Sequence, residues 1–292
     1  MFVKNKISKK IPTENHIGEF SFKNVYKIVN DKGVQLRKSI QDLQLMKVNK
    51  ECIVALTAYD YQTAIIVDNY CDFVLVGDSL GNVFQGEETT LGVTVDQMIY
   101  HGSIVSKAIK NAHLCIDMPF MSYQSSVSEA LKNAGDIIKS TKAQSIKLEI
   151  NIDTIPTIQR LSNAGIPVVA HVGLCPQSFN LYGGYKKQGK NKSDQDYILM
   201  LSKEAEKNGA SIVVIEGVPD NLGLKITRAL KIPTIGIGAG NKCDGQILVT
   251  EDMLGLTPPP YPSFVKNYSN MRGLIKKSVS KYKNEVKKNK FP

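Results

Sequence analysis

Eight short apolar runs, rich in β-branched residues, recur along the middle of the chain, most of them roughly 20 to 45 residues apart. They are "CIVALTAYD" (52–60), "DFVLVGDS" (72–79), "LCIDMP" (114–119), "SIKLEI" (145–150), "IPVVAHVG" (166–173), "SIVVIEGV" (211–218), "IPTIGIGAG" (232–240) and "GQILVTED" (245–252). Stretches with helical spacing lie between most of them. In "SSVSEALKNAGDIIKST", Val127, Ala130, Leu131, Ala134, Ile137 and Ile138 fall on one face. In "SDQDYILMLSKEAEKNGA", Ile198, Leu201 and Ala205 do the same, with Ser193 or Asp194 as the expected N-cap and Gly209 as the stop. Helices end in brief Gly or Pro punctuation ("NAGIPVV", "NGASIVV", "LKIPTIG"), and a strand follows at once. Strands and helices alternating through short connections make a parallel sheet. Eight strands suit a (β/α)₈ TIM-type barrel better than an open flavodoxin- or Rossmann-like sheet, which is the alternative. The eighth run is the weakest, because "LTPPPYPSF" (256–264) breaks regular structure soon after it.

This pattern divides the chain into a basic N-terminal extension (1–38), a barrel (39–262) and a lysine-rich C-terminal tail (263–292). The tail reads as a helix with Leu274, Ile275, Val279 and Tyr282 on one side. Of 292 residues, 42% are apolar, enough for a single large core. No window approaches the roughly 18 apolar residues of a membrane span.

The net charge of +10 invites a nucleic-acid reading, but its distribution opposes one. Residues 1–50 carry 11 basic and 4 acidic side chains, and residues 263–292 carry 9 and 1. The body between them is net acidic, at −5. Basic tails around an acidic body read as solvated faces rather than as a nucleic-acid footprint. The five cysteines are odd in number and widely spaced, without a C-x-x-C, which fits a reducing, cytoplasmic setting. Cys115, inside an apolar run, reads as a small buried hydrophobe. The basic N-terminus soon meets Glu14, Glu19 and Asp31, whereas a transit peptide would be poor in acids.

In a parallel barrel the C-terminal strand ends meet at one rim, where chemistry resides. The second run delivers Asp78 and Ser79, the third Asp117, the fourth Lys147 and Glu149, the fifth His171 and the sixth Glu216. The seventh delivers the glycines Gly236, Gly238 and Gly240. Taken singly, an acid after a strand is most often a helix N-cap, and Asp60 in "TAYDYQ" fits that reading. His171 fits a satisfied core histidine equally well. Lys147 and Glu149, two residues apart, share one strand face; apolar helices would cover the outer face, so the barrel interior suits them better. Four converging carboxylates with one lysine need a cation or must take up protons. A hard divalent ion held by oxygens, Mg²⁺, is the economical solution. "GIGAGN" (236–241) lacks the G-x-G-x-x-G spacing of a dinucleotide loop, and a glycine run at this point of a barrel suits close approach to an anionic ligand. The glycine-rich segment 173–190 reads as a lid or as a flexible loop.

Seven segments taken together resemble one family: "LTAYDY", "LVGDSLGNVFQG", "IDMPFMSY", "IKLE", "HVGLCPQSFNLYGGYKKQGK", "VIEGVP" and "IGIGAGNKCDGQILV". They are similar, in order and spacing from about residue 40 to about residue 268, to the ketopantoate (3-methyl-2-oxobutanoate) hydroxymethyltransferases. The resemblance implies a (β/α)₈ barrel that transfers a one-carbon unit from 5,10-methylenetetrahydrofolate to 3-methyl-2-oxobutanoate. The product would be 2-dehydropantoate, in the first step of pantothenate synthesis. It also implies Mg²⁺ and a homo-oligomer, commonly a decamer. By the same resemblance Asp78, Asp117 and Glu149 are the metal-site carboxylates, and Ser79 and Lys147 hold the keto acid's carboxylate. Glu216 is the implied base, and His171 lies near the substrate. In the family the carboxylate matching Glu149 is often followed by glycine, where this chain has Ile150 and Asn151.

Two other readings compete. Phosphoenolpyruvate mutase and isocitrate lyase relatives also use strand-end acids and Mg²⁺. The lid of those lyases carries a cysteine in a K-K-C-G-like run, where this chain has Gln188 and Gly189. A catalytically silent barrel whose basic tails bind an acidic partner is the second, and it leaves the filled acid positions without a purpose.

Overall fold

Each of the eight runs forms a strand. They are β1 (Ile53–Thr57), β2 (Phe73–Val76), β3 (His113–Asp117), β4 (Ser145–Glu149), β5 (Val168–Gly173), β6 (Ala210–Glu216), β7 (Thr234–Ile237) and β8 (Gly245–Leu248). Neighbours pair in parallel in chain order, and β1 returns to β8 with Ala55 opposite Ile247, closing the barrel. The computed structural model describes residues 37–292, so the expected N-terminal extension lies outside the described residues apart from Arg37 and Lys38.

The helices follow the expected alternation: α1 (Ile40–Asn49) precedes β1, and α2 (Tyr61–Val67), α3 (Val95–Ala108), α4 (Val127–Thr141) and α5 (Ile155–Asn163) follow β1 to β4. The β5–β6 connection holds α6 (Phe179–Tyr182) and α7 (Lys192–Lys207), and α8 (Asp220–Ala229) follows β6. A turn alone joins β7 to β8, after which come α9 (Thr250–Met253) and the long α10 (Met271–Lys287). Asp60 caps α2 as expected, its Oδ1 accepting from the Gln62 and Thr63 amides. α7 starts earlier than the sequence suggests. Asn191, not Ser193 or Asp194, is its N-cap, because the Asn191 side chain reaches the free amide of Asp194. Leu274, Ile275, Val279 and Tyr282 of α10 share an exposed stripe on the single chain. Among the described residues no helix is long and apolar enough to cross a membrane.

Strand alternation sorts the side chains into two cores. Val74, Val76, Leu114, Ile116, Ile146, Leu148, Val213 and Ile215 point outward and bury against the helices. Phe73, Leu75, Cys115, Val169, Ile212, Val214 and Ile235 fill the interior, which bears out the reading of Cys115 as a buried hydrophobe. Burying one such side chain is worth about 1.5–3 kcal/mol. α1, which the spacing of runs does not predict, plugs the N-terminal end with Ile40 and Leu43. Its Lys47 ammonium donates to Asp244 Oδ2 (2.8 Å) and to the carbonyls of Ile232 (2.9 Å) and Thr227 (3.1 Å). This clip ties the plug to the base of β7 and β8. Nearby, inside the barrel, the His113 ring stacks on Phe73 with centroids 5.5 Å apart.

Candidate active site

Asp117, Lys147, Glu149, His171 and Glu216 all occupy inward positions of their strands. Asp117, His171 and Glu216 lie two residues past the interior positions Cys115, Val169 and Val214, and Lys147 and Glu149 pair in register with Asp117 and His171. Asp78 and Ser79 come one turn past β2. Gly77 makes that turn possible, since a Cβ there would stand 2.8 Å from Ser79 Oγ and 3.4 Å from Asp117 Oδ2. Asp78, Ser79, Asp117, Lys147, His171 and Glu216 line one cavity of about 100 Å³ at the barrel mouth. Glu149 stands beside it, with both oxygens 3.1 Å from the amide of Gln177.

The acids are linked. The Asp78 amide donates to Asp117 Oδ2 (3.0 Å), and the Lys147 ammonium stands 3.0 Å from Asp117 Oδ1. That Oδ1 is buried and makes no aligned hydrogen bond among the described residues. Burial pushes the Asp117 carboxyl well above the usual range against the pull of Lys147, and nearby Asp78 pushes it further. Burial also raises Glu149, helped by the Asp78 charge. For Lys147, burial disfavours the charged form, but Asp117, Asp78 and Glu149 outweigh it and the net shift is upward. The ammonium is therefore a fixed positive charge.

His171 stands with Nε2 3.2 Å from Glu216 Oε2 and Nδ1 3.8 Å from Glu149 Oε1. Neither ring nitrogen has an aligned hydrogen-bond partner among the described residues, which disfavours the reading of a satisfied core histidine. Burial first, and Lys147 second, lower its pKa, so the ring is neutral near pH 7.

The seventh strand's glycines do not line this cavity. A Cβ on Gly236 would meet Cys243 Sγ at 2.8 Å. Gly238 (φ +60°) and Gly240 (φ +80°) turn the chain in left-handed conformations against Phe264 and Asp220. The run serves tight turning and packing, which corrects the expectation of an anion cradle. Segment 173–190 does reach across the mouth: Tyr185 donates to Asn82 Oδ1 (3.4 Å), and the Gln188 amide donates to the Gly217 carbonyl (2.9 Å).

Three residues at the site were missed from the sequence. Tyr59 shares a 2.7 Å hydrogen bond with Ser79 Oγ. Tyr123 and Gln177 form a buried bridge between Asp78 and Glu149. All three lie in segments that carry the family resemblance, yet none is ionised, so a search for charged strand ends passes over them.

The acidic donor set suits a hard divalent cation. Asp78 and Asp117 are adjacent and face the cavity, and Asp117 Oδ1, paired with Lys147 but without an aligned hydrogen bond, has a lone pair left to offer. Among the described residues no three His, Cys, Asp or Glu side chains are gathered closely enough to enclose an ion. Glu149, turned to Gln177, is the expected ligand that stands apart.

Comparison with known proteins bears on the family of the chain. Residues 37–292 match the family model described as ketopantoate hydroxymethyltransferase. The chain is 48% identical over 247 residues to the 3-methyl-2-oxobutanoate hydroxymethyltransferase of Enterococcus faecalis, covering 84% of this chain and 90% of that one. It is 45% identical over 259 residues to the protein of that name from Clostridioides difficile, with 88% and 94% covered. Among solved structures, phosphonopyruvate hydrolase in complex with oxalate and Mg²⁺ shares the fold at a TM-score of 0.58 and 11% identity, covering 86% of this chain and 87% of that one. 2,3-Dimethylmalate lyase does so at 0.57 and 13%, covering 85% and 88%. At such identities these two speak for the barrel alone. The family match and the relatives at 45% identity and above decide the lineage: the chain belongs to the ketopantoate hydroxymethyltransferase family.

Proposed function

We propose that this chain transfers a hydroxymethyl group from 5,10-methylenetetrahydrofolate to 3-methyl-2-oxobutanoate, giving 2-dehydropantoate for pantothenate synthesis. The observation that carries the reading is the small cavity in which Asp78, Asp117, Lys147, His171 and Glu216 meet, in a chain of this family. Asp78 and Asp117 would hold Mg²⁺, with Glu149 as the third carboxylate of the site. Bound there, the ion supplies Lewis-acid stabilisation of the negative charge that develops when the keto acid loses its C3 proton.

The chain's own groups do the rest. Lys147, charged and immobile between acids, faces the substrate carboxylate, and Ser79, held by Tyr59, donates to it. Glu216 takes the C3 proton. The His171 ring stands against that carboxylate, its Nε2 3.2 Å from Oε2. C3 then bonds to the methylene carbon, both C–N bonds that tie this carbon to folate break, water supplies the hydroxyl group, and the two freed nitrogens take up the remaining proton of that water and the one Glu216 removed. Proton abstraction by a placed base is worth about 10²–10⁴ in rate, so positioning and charge stabilisation supply the larger share. The reading includes a homo-oligomer, a decamer in the family's pattern, working in the cytoplasm.

The test follows the C3 proton by NMR in D₂O with 3-methyl-2-oxobutanoate and Mg²⁺, and then adds methylenetetrahydrofolate. Exchange that needs the metal, followed by 2-dehydropantoate when folate is present, is the expected result. The absence of both exchange and product would overturn the reading.

A further inference from the structure

Gln177 is a neutral residue in the short 3-10 turn Pro176–Ser178 after β5, yet it is 6% exposed and all four positions of its side-chain amide are used. Its Nε2 donates to Asp78 Oδ2 and to the Met118 carbonyl, each at 2.9 Å. Its Oε1 accepts from Tyr123 Oη (2.7 Å) and from Gln124 Nε2 (3.0 Å). Two pure acceptors on one side and an amide donor on the other allow only one orientation of the group. Its backbone amide donates to both oxygens of Glu149. Tyr123, whose proton goes to Gln177, also accepts from the Glu149 amide at 3.1 Å. One residue therefore fixes the side chain of Asp78, on β2's turn, and the carboxylate of Glu149, on β4. It does so from the base of the loop that crosses the mouth.

We infer that Gln177 is a positioning residue of this enzyme: it aims Asp78 and holds Glu149 for the divalent cation, and it ties their geometry to the loop after β5. The inference rests on the metal-dependent reading above. Asp78 Oδ2 faces Gln177, and among the described residues no hydrogen bond reaches Oδ1. The bond to Gln177 thus settles which oxygen is left for the cation. Partners of this kind, one step behind the ligands, typically carry about 10–100-fold in metal affinity.

Gln177→Glu tests this with little change in shape. It places a carboxylate oxygen against two acceptors, Asp78 Oδ2 and the Met118 carbonyl, and so drives Asp78 from its position. The wild type and the variant, each without substrate, are titrated with Mn²⁺ and followed by electron paramagnetic resonance. C3 exchange is then measured against keto acid concentration at saturating metal. The expected result is a Mn²⁺ dissociation constant raised about 10–100-fold. Saturating metal should recover most of the maximal exchange rate, because Gln177 does not touch the reacting atoms. A merely structural role would lower the melting temperature and leave the Mn²⁺ affinity of the folded fraction unchanged. Tyr123→Phe removes the hydroxyl that anchors Gln177 Oε1, and should raise the Mn²⁺ constant about 3–10-fold, below the full loss of such a partner. If Gln177→Glu does not fold, this variant decides alone. Mn²⁺ affinity within twofold of wild type in the folded variants overturns the inference and leaves the proposed reaction standing. A wild type that binds no Mn²⁺ removes the metal-dependent reading and, with it, the role assigned to Gln177.

Discussion

His113 and His171 are both interior residues of a barrel strand, both nearly fully buried, and burial lowers the pKa of both. They differ in which end of the barrel they face. At the N-terminal end, His113 Nδ1 meets the Lys38 carbonyl (3.0 Å), Nε2 meets Ser145 Oγ (2.8 Å), and the ring stacks on Phe73. At the C-terminal end, His171 has neither nitrogen satisfied among the described residues and sits among carboxylates. Buried polar groups are ordinarily paired. The first histidine obeys that rule and closes a core. The second departs from it at the mouth where the acids gather. One barrel thus separates stability and chemistry along its axis, with the plugged end satisfied and the open end left wanting partners.

The largest effect that would confirm this division comes from Glu216→Gln. It should slow C3 exchange about 10²–10⁴-fold while the melting temperature stays within a few degrees, as NMR and calorimetry would show. A comparable loss of stability would break the comparison. The two histidines give the sharpest contrast. His171→Asn should lower the exchange rate about 10–100-fold, the effect of disturbing a partner one step behind the reacting group, with little change in denaturation midpoint. His113→Asn should leave exchange within about twofold but cost roughly 2 kcal/mol in urea unfolding, through two lost hydrogen bonds and a lost stack. Reversed outcomes would put the functional histidine at the wrong end.

Next in size is a pH effect at Glu251, past β8, whose carboxyl burial pushes up to about 7, with Asp60 and Asp252 adding to the shift. The folded state holds this proton more tightly than the unfolded chain does. Its contribution is therefore full below about pH 4.5 and is lost as pH rises through about 7. Glu251→Gln should flatten that fall and leave the variant about 2 kcal/mol more stable than wild type at pH 8, measured by denaturation at several pH values. Lys47→Met is expected to be the mildest. It removes the clip under α1, costs about 1–2 kcal/mol, and leaves C3 exchange untouched.

What the sequence disclosed follows from the same physics. The strands were legible because "FVLV" and "IVVI" are β-branched runs with both faces buried, and the acids because each interrupts such a run. Nothing marked α1, whose inward stripe of Ile40, Leu43 and the half-buried Met46 is too thin to stand out, although it closes the barrel. His113 lay just ahead of its run, and its partners Lys38 and Ser145 are 75 and 32 residues away. Gln177 and Tyr123 stayed hidden because their importance lies in hydrogen-bond geometry, which no charge or period announces. The glycines in and just after β7 misled in the other direction. Their spacing suggested a ligand, whereas Cys243, Phe264 and Asp220 occupy the space beside them.

The shared inward phase of Asp117, Lys147, Glu149, His171 and Glu216 has a consequence for insertions and deletions. Side chains alternate with period two, so removing one residue early in β4 would carry Lys147 and Glu149 to the helix-facing side and bring Ile146 and Leu148 into the mouth. Chemistry and core would be exchanged by a single codon. In these strands length can change only by pairs without emptying the site, whereas the loops between them are free to lengthen by any number. Descendants of such a barrel can vary the rim residue by residue, but the strands only in steps of two.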